Sequence, residues 1–326
     1  MAEYRKKAGV RKLRSINALV SELEIPEVKG ALYSLFHHTC IDSFSKMATS
    51  GSVWLSRIDQ MNDGTEVFKD ADRTYAFCLS AKPSENVAMW IVYGLPRREA
   101  IRVRFPGKAL MDVVKANDGY VSVYPVNGNK VQSKPVTGRA SLHYVGYVSR
   151  GGERVHVGNV IYKLPAEKNM SRVDVMDRCG SYIKRLGWAY EHEIRLVIHL
   201  DKKVDAKKIQ LDIPEVFRKI LTYKPQRRNG SDGMPSVIVG PWGNCEMFVE
   251  KFRNEIKKLT CMWPDDIRYF LDHATSDGRG IVRESEYMSN IKLGRCDGCK
   301  IKASCVCAYN ETQRESVCLD ICDKHS

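Results

Sequence analysis

Two hydrophobic periods run through this chain, and the points where one gives way to the other mark its elements. Residues 31–39 (ALYSLFHHT) read as a strand with a polar end. In 41–51 (IDSFSKMATSG), Ile41, Phe44 and Met47/Ala48 share a helical face, with Asp42 or Ser43 as start signal and Gly51 as stop. VWLSRID (53–59) and TYAFCLSA (74–81) follow as short strands. AIRVRF, VSVYPV, HYVGYV and VGNVIYKL, between 100 and 164, predict a β-rich middle punctuated by Gly, Asn and Pro turns. Residues 171–186 place Val173, Met176, Ile183 and Leu186 on one helical stripe. EIRLVIHL (193–200) is apolar enough for a central strand, and SVIVGP (236–241) is another. NCEMFVEKFRNEIKKL (244–259) is an amphipathic helix with Phe248, Phe252, Ile256 and Leu259 inward, and 262–278 predicts one more helix. Strands do not alternate regularly with helices, which disfavours a doubly wound parallel sheet. The pattern predicts an α+β body with a split or sandwiched β core.

Charge narrows the class. Lys and Arg number 52 against 39 Asp and Glu, a balance of +13 at pH 7. Such an excess attracts nucleic acid, a nucleotide or an acidic membrane surface. No apolar run approaches the roughly 18 residues of a membrane span, so no membrane partner is expected. The basic start lacks the apolar core of a secretory signal, and a cytoplasmic protein is expected. Arg5, Lys6, Lys7, Arg11, Lys12 and Arg14 face Glu3 alone within residues 1–15, as in a solvated terminus or a phosphate-gripping arm. The expected organisation is a basic arm over 1–28, a body over 29–260, a helical connector over 261–290 and a Cys-rich module over 291–326.

Four segments carry candidate chemistry. His37 and Thr39, at i and i+2 of a strand, project on one face and suit a single polar ligand. Met61-Asn62-Asp63-Gly64-Thr65-Glu66 reads as an Asx-type turn. Trp90 and Tyr93 share a helical face, as core packing or as a wall for a base or nicotinamide to stack on. In Tyr190-Glu191-His192-Glu193-Ile194-Arg195, two carboxylates at i and i+2 of a strand point the same way. Like charges so placed cost energy unless a cation, hydroxyls or a developing positive charge meet them.

In order, Leu35-Phe36-His37-His38-Thr39, Leu55-Ser56, Asn62-Asp63-x-x-Glu66, Phe77-x-Leu79-Ser80, Trp90-x-x-Tyr93-Gly94 and Glu191-x-Glu193-x-Arg195-Leu196 resemble a widespread microbial domain. Ile238-Val239-Gly240-Pro241 before a helix fits it too. That pattern is similar to the ADP-ribosyltransferase superfamily, with a His, aromatic and Glu triad on a split β core, and covers about 32–258. The sequence departs from it at His38, where Tyr is usual, and at Ile194, where Trp is usual. The resemblance implies NAD as substrate. Breaking the nicotinamide–ribose bond generates an oxocarbenium-like centre. Glu193 would stabilise it, and Glu191 would orient or deprotonate the nucleophile. His37 and Thr39 would anchor ribose or diphosphate, Tyr93 or Trp90 would stack on nicotinamide, and Arg57 or Arg195 would neutralise a phosphate. A transferase acting on nucleic acid or a nucleic-acid-bound target is therefore expected. The alternatives are a non-catalytic nucleotide- or nucleic-acid-binding protein and an NAD glycohydrolase serving as a toxin or in phage defence.

Arg97, Arg98, Arg102, Arg104 and Lys108 form one basic stretch and Lys224, Arg227 and Arg228 another, read as solvated faces or as a nucleic-acid track. Cys296-x2-Cys299-x5-Cys305-x-Cys307-x10-Cys318-x3-Cys322-x2-His325 stands apart. Clustered thiols in a polar tail point to a metal, with zinc ahead of an iron–sulfur cluster. Cys296, Cys299, Cys318 and Cys322 are the expected ligands, with Cys305, Cys307 and His325 as substitutes or as ligands of a second ion.

Overall fold

The computed structural model describes residues 9–24, 34–61, 63, 66, 68–82, 85–94, 99–157, 160–165, 172–223, 235–241, 243–274, 281–285, 291–295, 306–310 and 315–319. The chain forms two compact units, each assembled from separate stretches. The first takes residues 1–35, 51–82 and 105–217, and the second takes 36–50, 83–104 and 218–326.

The first unit is built on a closed barrel. Its strands run in the order Glu193–Leu200, Val136–Tyr144, Tyr120–Asn127, Lys208–Asp212, Ser52–Arg57 and Thr74–Ser80, and the last pairs back onto the first. The described pairings are antiparallel. Register fixes the two faces, because residues opposite each other project together. Val53, Leu55, Phe77, Leu79, Val123, Leu142, Ile194, Leu196, Ile198, Ile209 and Leu211 share the apolar face and fill the interior, all buried. Trp54, Cys78, Ser122, Tyr124, Arg139, His143, Glu193, Arg195, Lys208 and Gln210 share the outer face. At Gly138 an added Cβ would stand 2.7 Å from the His199 carbonyl oxygen, so the close approach of these two strands requires glycine.

A second sheet of this unit runs Gly9–Lys12, Val160–Lys163, Arg154–Val157, Gly146–Val148 and Ile183–Arg185. The helices Ile16–Leu23 and Arg172–Cys179 bury Leu19, Leu23, Val175 and Met176 with its Val148, Val155 and Ile183. Residues 9–24 of the basic N-terminal stretch are thus a strand and a helix of this unit. The helix expected over 171–186 stops at Cys179. Gly180 turns left-handed at φ 53° and the chain becomes the strand Ile183–Arg185. Val173 is 69% exposed, so the buried stripe is Val175, Met176 and Cys179 instead.

In the second unit the strands Ser34–Cys40, Ala100–Pro106, Val237–Val239 and Val282–Glu284 are neighbours in that order. The helices Ile41–Ser50, Cys245–Ile256 and Pro264–His273 form where expected, the second capped by the Asn244 side chain. Their core is aromatic: the Phe44 ring centroid lies 5.2 Å from Phe252 and 6.0 Å from Phe270. Gly51, at φ 62°, follows the first helix as a left-handed stop. Ile291–Arg295, Val306–Asn310 and Glu315–Leu319 form a three-stranded antiparallel meander. The α+β reading therefore holds for the described residues. None of their helices is long and apolar enough to cross a membrane.

Candidate active site

The segment around Glu191 bends sharply. Leu186–Glu191 is a 3-10 helix ending on His192, whose φ of 45° and ψ of 49° are left-handed. Non-glycine residues adopt that region rarely. Only Glu193 belongs to the strand, so the expectation of two carboxylates on one strand face is corrected. The bend brings both carboxyls to one amine instead. Lys184 donates to Glu191 Oε2 at 2.6 Å and to Glu193 Oε2 at 3.0 Å.

Arg195 completes the cluster from the barrel's outer face. Its Nε donates to Glu193 Oε1 at 2.8 Å, its Nη1 donates to the Ser181 carbonyl at 3.0 Å, and it pairs with Glu66. The Glu193 backbone N–H donates to the Tyr147 hydroxyl at 2.8 Å. Glu66, Lys184, Glu191, Glu193 and Arg195 are all buried. Three carboxyls meet two cations, leaving an excess of 3 − 2 = 1 acid.

That excess is felt at two carboxyls: Glu66, raised first by its burial, and Glu191. Burial, and then the Glu193 charge, push the Glu191 carboxyl up to about 7. Lys184 reaches only one of its oxygens, and Oε1 is buried with no donor among the described residues. Burial alone would raise Glu193 as well, but Arg195 and Lys184 outweigh it and hold Glu193 well below the usual carboxylate range. Lys184 is raised despite burial, by Glu193 and then Glu191. Glu193 is a fixed anion, while Glu191 exchanges a proton near neutrality. Carboxyls pushed apart in this way occur at acid/base sites and in structural ion-pair networks alike.

The residues assigned to nucleotide binding divide between the units. Arg57, in the first, is occupied by Asp59 at 2.7 Å. In the second, His37 and Thr39 are half-buried on one face of their strand and His38 is buried on the other. Trp90 and Tyr93 share the helix Val87–Gly94 as expected. Their histidine partner is His38: Trp90 meets it edge-on at 5.1 Å and Tyr93 stacks on it at 6.2 Å. Trp90 is fully buried and donates to Glu85 Oε2 at 3.0 Å, so it is packing and not an open stacking wall.

The expected basic track is corrected at Arg102. That side chain is buried, with its guanidinium 3.7 Å from the centre of the Phe36 ring, and offers no surface to phosphate. Arg104 lies over the Tyr223 ring at 4.2 Å. Arg97, Arg98, Lys224, Arg227 and Arg228 lie outside the described residues, as do Cys296, Cys299, Cys305, Cys322 and His325. Cys307 and Cys318 are opposite one another in the strand register of the meander. Among the described residues no group of three or more His, Cys, Asp or Glu side chains is placed to hold a metal.

No family model, no curated protein and no solved structure matches this chain.

Lys184 and Tyr147 were not singled out by sequence reasoning, and Glu66 was named only as part of a turn motif, without a role. Glu66 had a signal, the Asn62-Asp63-x-x-Glu66 spacing. Lys184 had none, because its stretch reads as helix.

Proposed function

We propose that the chain is an NAD-consuming ADP-ribosyltransferase whose acceptor is nucleic acid or is bound to it, with a body of the split-β type that the motif order implies. The observation that carries the reading is Glu191: a buried carboxyl raised above the usual carboxylate range, one oxygen without a donor among the described residues, beside Glu193, which two cations hold as the anion. Cleaving the bond from ribose to nicotinamide needs those two properties together. As that bond breaks, nicotinamide leaves with the electron pair and positive charge develops on the ribose. Glu193, kept ionised by Arg195 and Lys184, supplies the opposing charge. The incoming nucleophile then bonds to the anomeric carbon, and its proton passes to Glu191. Lys184 keeps the two carboxyls in register. His37, Thr39 and Tyr93 retain the ligand-holding roles that the resemblance gives them. Zinc at Cys296, Cys299, Cys318 and Cys322 belongs to the same proposal, resting on the spacing of the thiols.

A second reading is favoured by a specific observation. Both Glu193 oxygens already accept from cations, as they would in a purely structural ion-pair cluster of a non-catalytic binding protein. Incubation with NAD separates the two. Free nicotinamide together with label on an added oligonucleotide supports the transferase. Nicotinamide without label supports the glycohydrolase, and no release supports the binding protein.

A further inference from the structure

The expected nucleic-acid track loses Arg102 to the interior, yet the barrel presents a different surface with the required chemistry. Tyr124, Gln210 and Trp54 stand side by side on three adjacent strands, on the outer face. Trp54 Nε1 donates to Gln210 Oε1 at 3.2 Å, which fixes the indole's orientation. Both aromatic residues are half-buried, so each ring is held by the sheet without being enclosed by it. The Lys208 ammonium, exposed, lies 5.7 Å from the Trp54 ring centre. Farther along the same face Tyr120 is 47% exposed, and the Arg139 guanidinium lies 5.2 Å from its ring centre. Ser122 and Thr137, opposite each other, lie between. A cavity of about 580 Å³ opens at the Arg139 end, lined also by Lys115, Asp118, Tyr182 and His199. Of the acids bordering the row, Asp201 accepts from Thr137 at 2.7 Å and Asp212 from Gln210 at 2.9 Å, while Asp118 and Glu24 line the cavity.

We infer that this outer wall of the barrel binds single-stranded nucleic acid, with Trp54, Tyr124 and Tyr120 as base-stacking platforms and Lys208 and Arg139 as phosphate contacts. Aromatic rings set in a sheet and interleaved with cations have this affinity because every base offers a π-face and every linkage a charge. A duplex hides its base faces and gains nothing from such rings. The chain's +13 balance supplies the long-range attraction, and the wall supplies the contacts. The inference deepens the proposed function by naming where its nucleic acid sits, and it rests on that reading only for the acceptor.

Fluorescence anisotropy of the full chain with labelled oligo-dT, oligo-U and a matched duplex tests it. Each platform contributes about 1–3 kcal/mol by the cost of its removal, so Trp54→Ala and Tyr124→Ala should each weaken single-strand binding by about 5–150-fold. Trp54→Phe, which keeps a platform, should retain most of the affinity, and this variant also controls for folding. Lys208→Ser and Arg139→Ser should each flatten the salt dependence by roughly one phosphate contact. Equal affinity for the duplex, or wild-type binding by the Trp54→Ala, Tyr124→Ala double variant, overturns the inference. Nicotinamide release by the unmodified chain is read separately. Its absence, with the Trp54 effect intact, removes the enzyme and leaves the binding face standing.

Discussion

Two buried polar regions, one in each unit, solve the same problem in opposite ways. In the first unit, charge survives burial because every charge has an opponent: Lys184 bonds Glu191 and Glu193, and Arg195 bonds Glu193 and Glu66. In the second, His38 survives burial by giving up its charge. Its ring nitrogens have no hydrogen-bond partner among the described residues, and its affinity for a proton is lowered by burial first, then by Arg102 and His37. A network of opposed charges keeps polarity available for chemistry, at the cost of depending on every member. A neutral ring packed against Trp90 and Tyr93 depends on shape. The contrast is why the proposed chemistry is placed in the first region, although sequence motifs point to both.

The sharpest way to break this contrast is to remove a member of the network. Arg195→Ala leaves Glu66 and Glu193 buried without their guanidinium. Breaking a buried pair costs about 3–5 kcal/mol, and urea melts should show a loss of that size. A variant as stable as the parent would mean that the cluster is hydrated and its charges are independent. Glu193→Gln keeps the shape and removes the fixed anion. Turnover of NAD should fall by about 10²–10³-fold, the scale of one transition-state electrostatic contact, with a much smaller change in NAD affinity. Near-normal turnover would return Glu193 to a structural role.

The pH dependence of stability sharpens the comparison further. Glu191 is raised from 4.5 to about 7 on folding, so the folded state holds a proton that the unfolded state has released between those values. Its contribution is complete below about pH 4.5 and is lost as pH rises toward 7. Thermal melts of Glu191→Gln against the parent should show that difference, and a difference independent of pH would contradict the raised value. His38 has the opposite sign. Its folded affinity for protons is lowered from 6.5, so its neutral packing is lost as pH falls below that value. His38→Phe should change stability at pH 8 by less than about 1 kcal/mol, since no hydrogen bond to a described residue is lost, and should gain on the parent in mild acid. A large loss at pH 8 would reveal a partner for the ring.

Much of this architecture is legible in the chain, for identifiable reasons. Helices with a strong apolar face, such as the one carrying Phe248 and Phe252, declare themselves because their pattern and their packing agree. The central position of the strand Glu193–Leu200 follows from its apolar content, Ile194, Leu196, Val197, Ile198 and Leu200, and it does have strands on both sides. Barrel closure was not legible, because pairing between Thr74–Ser80 and Glu193–Leu200 joins residues more than a hundred positions apart, and no local pattern encodes that. Ile183 fits a helical stripe and a strand equally well, and the left-handed turn at Gly180 decides between them. The carboxylates were found by their spacing, but for the wrong geometric reason: His192 breaks the strand, and Lys184 reunites what the break separates. Arg102 reads as surface by residue type, and the ring of Phe36 beneath its guanidinium, which residue type does not announce, helps to hold it inside.

The central claim is that Glu191 is a proton-transferring group and not one more member of an ion-pair cluster. Nicotinamide release from NAD, followed against pH in the parent and in Glu191→Gln, tests it most directly. Release by the parent should rise through an inflection near pH 7, where Glu191 gives up its proton and becomes a base. The Gln variant should be slower by about 10²–10⁴-fold and should show no inflection there. Parent-like release by Glu191→Gln, with the same profile, would contradict the account.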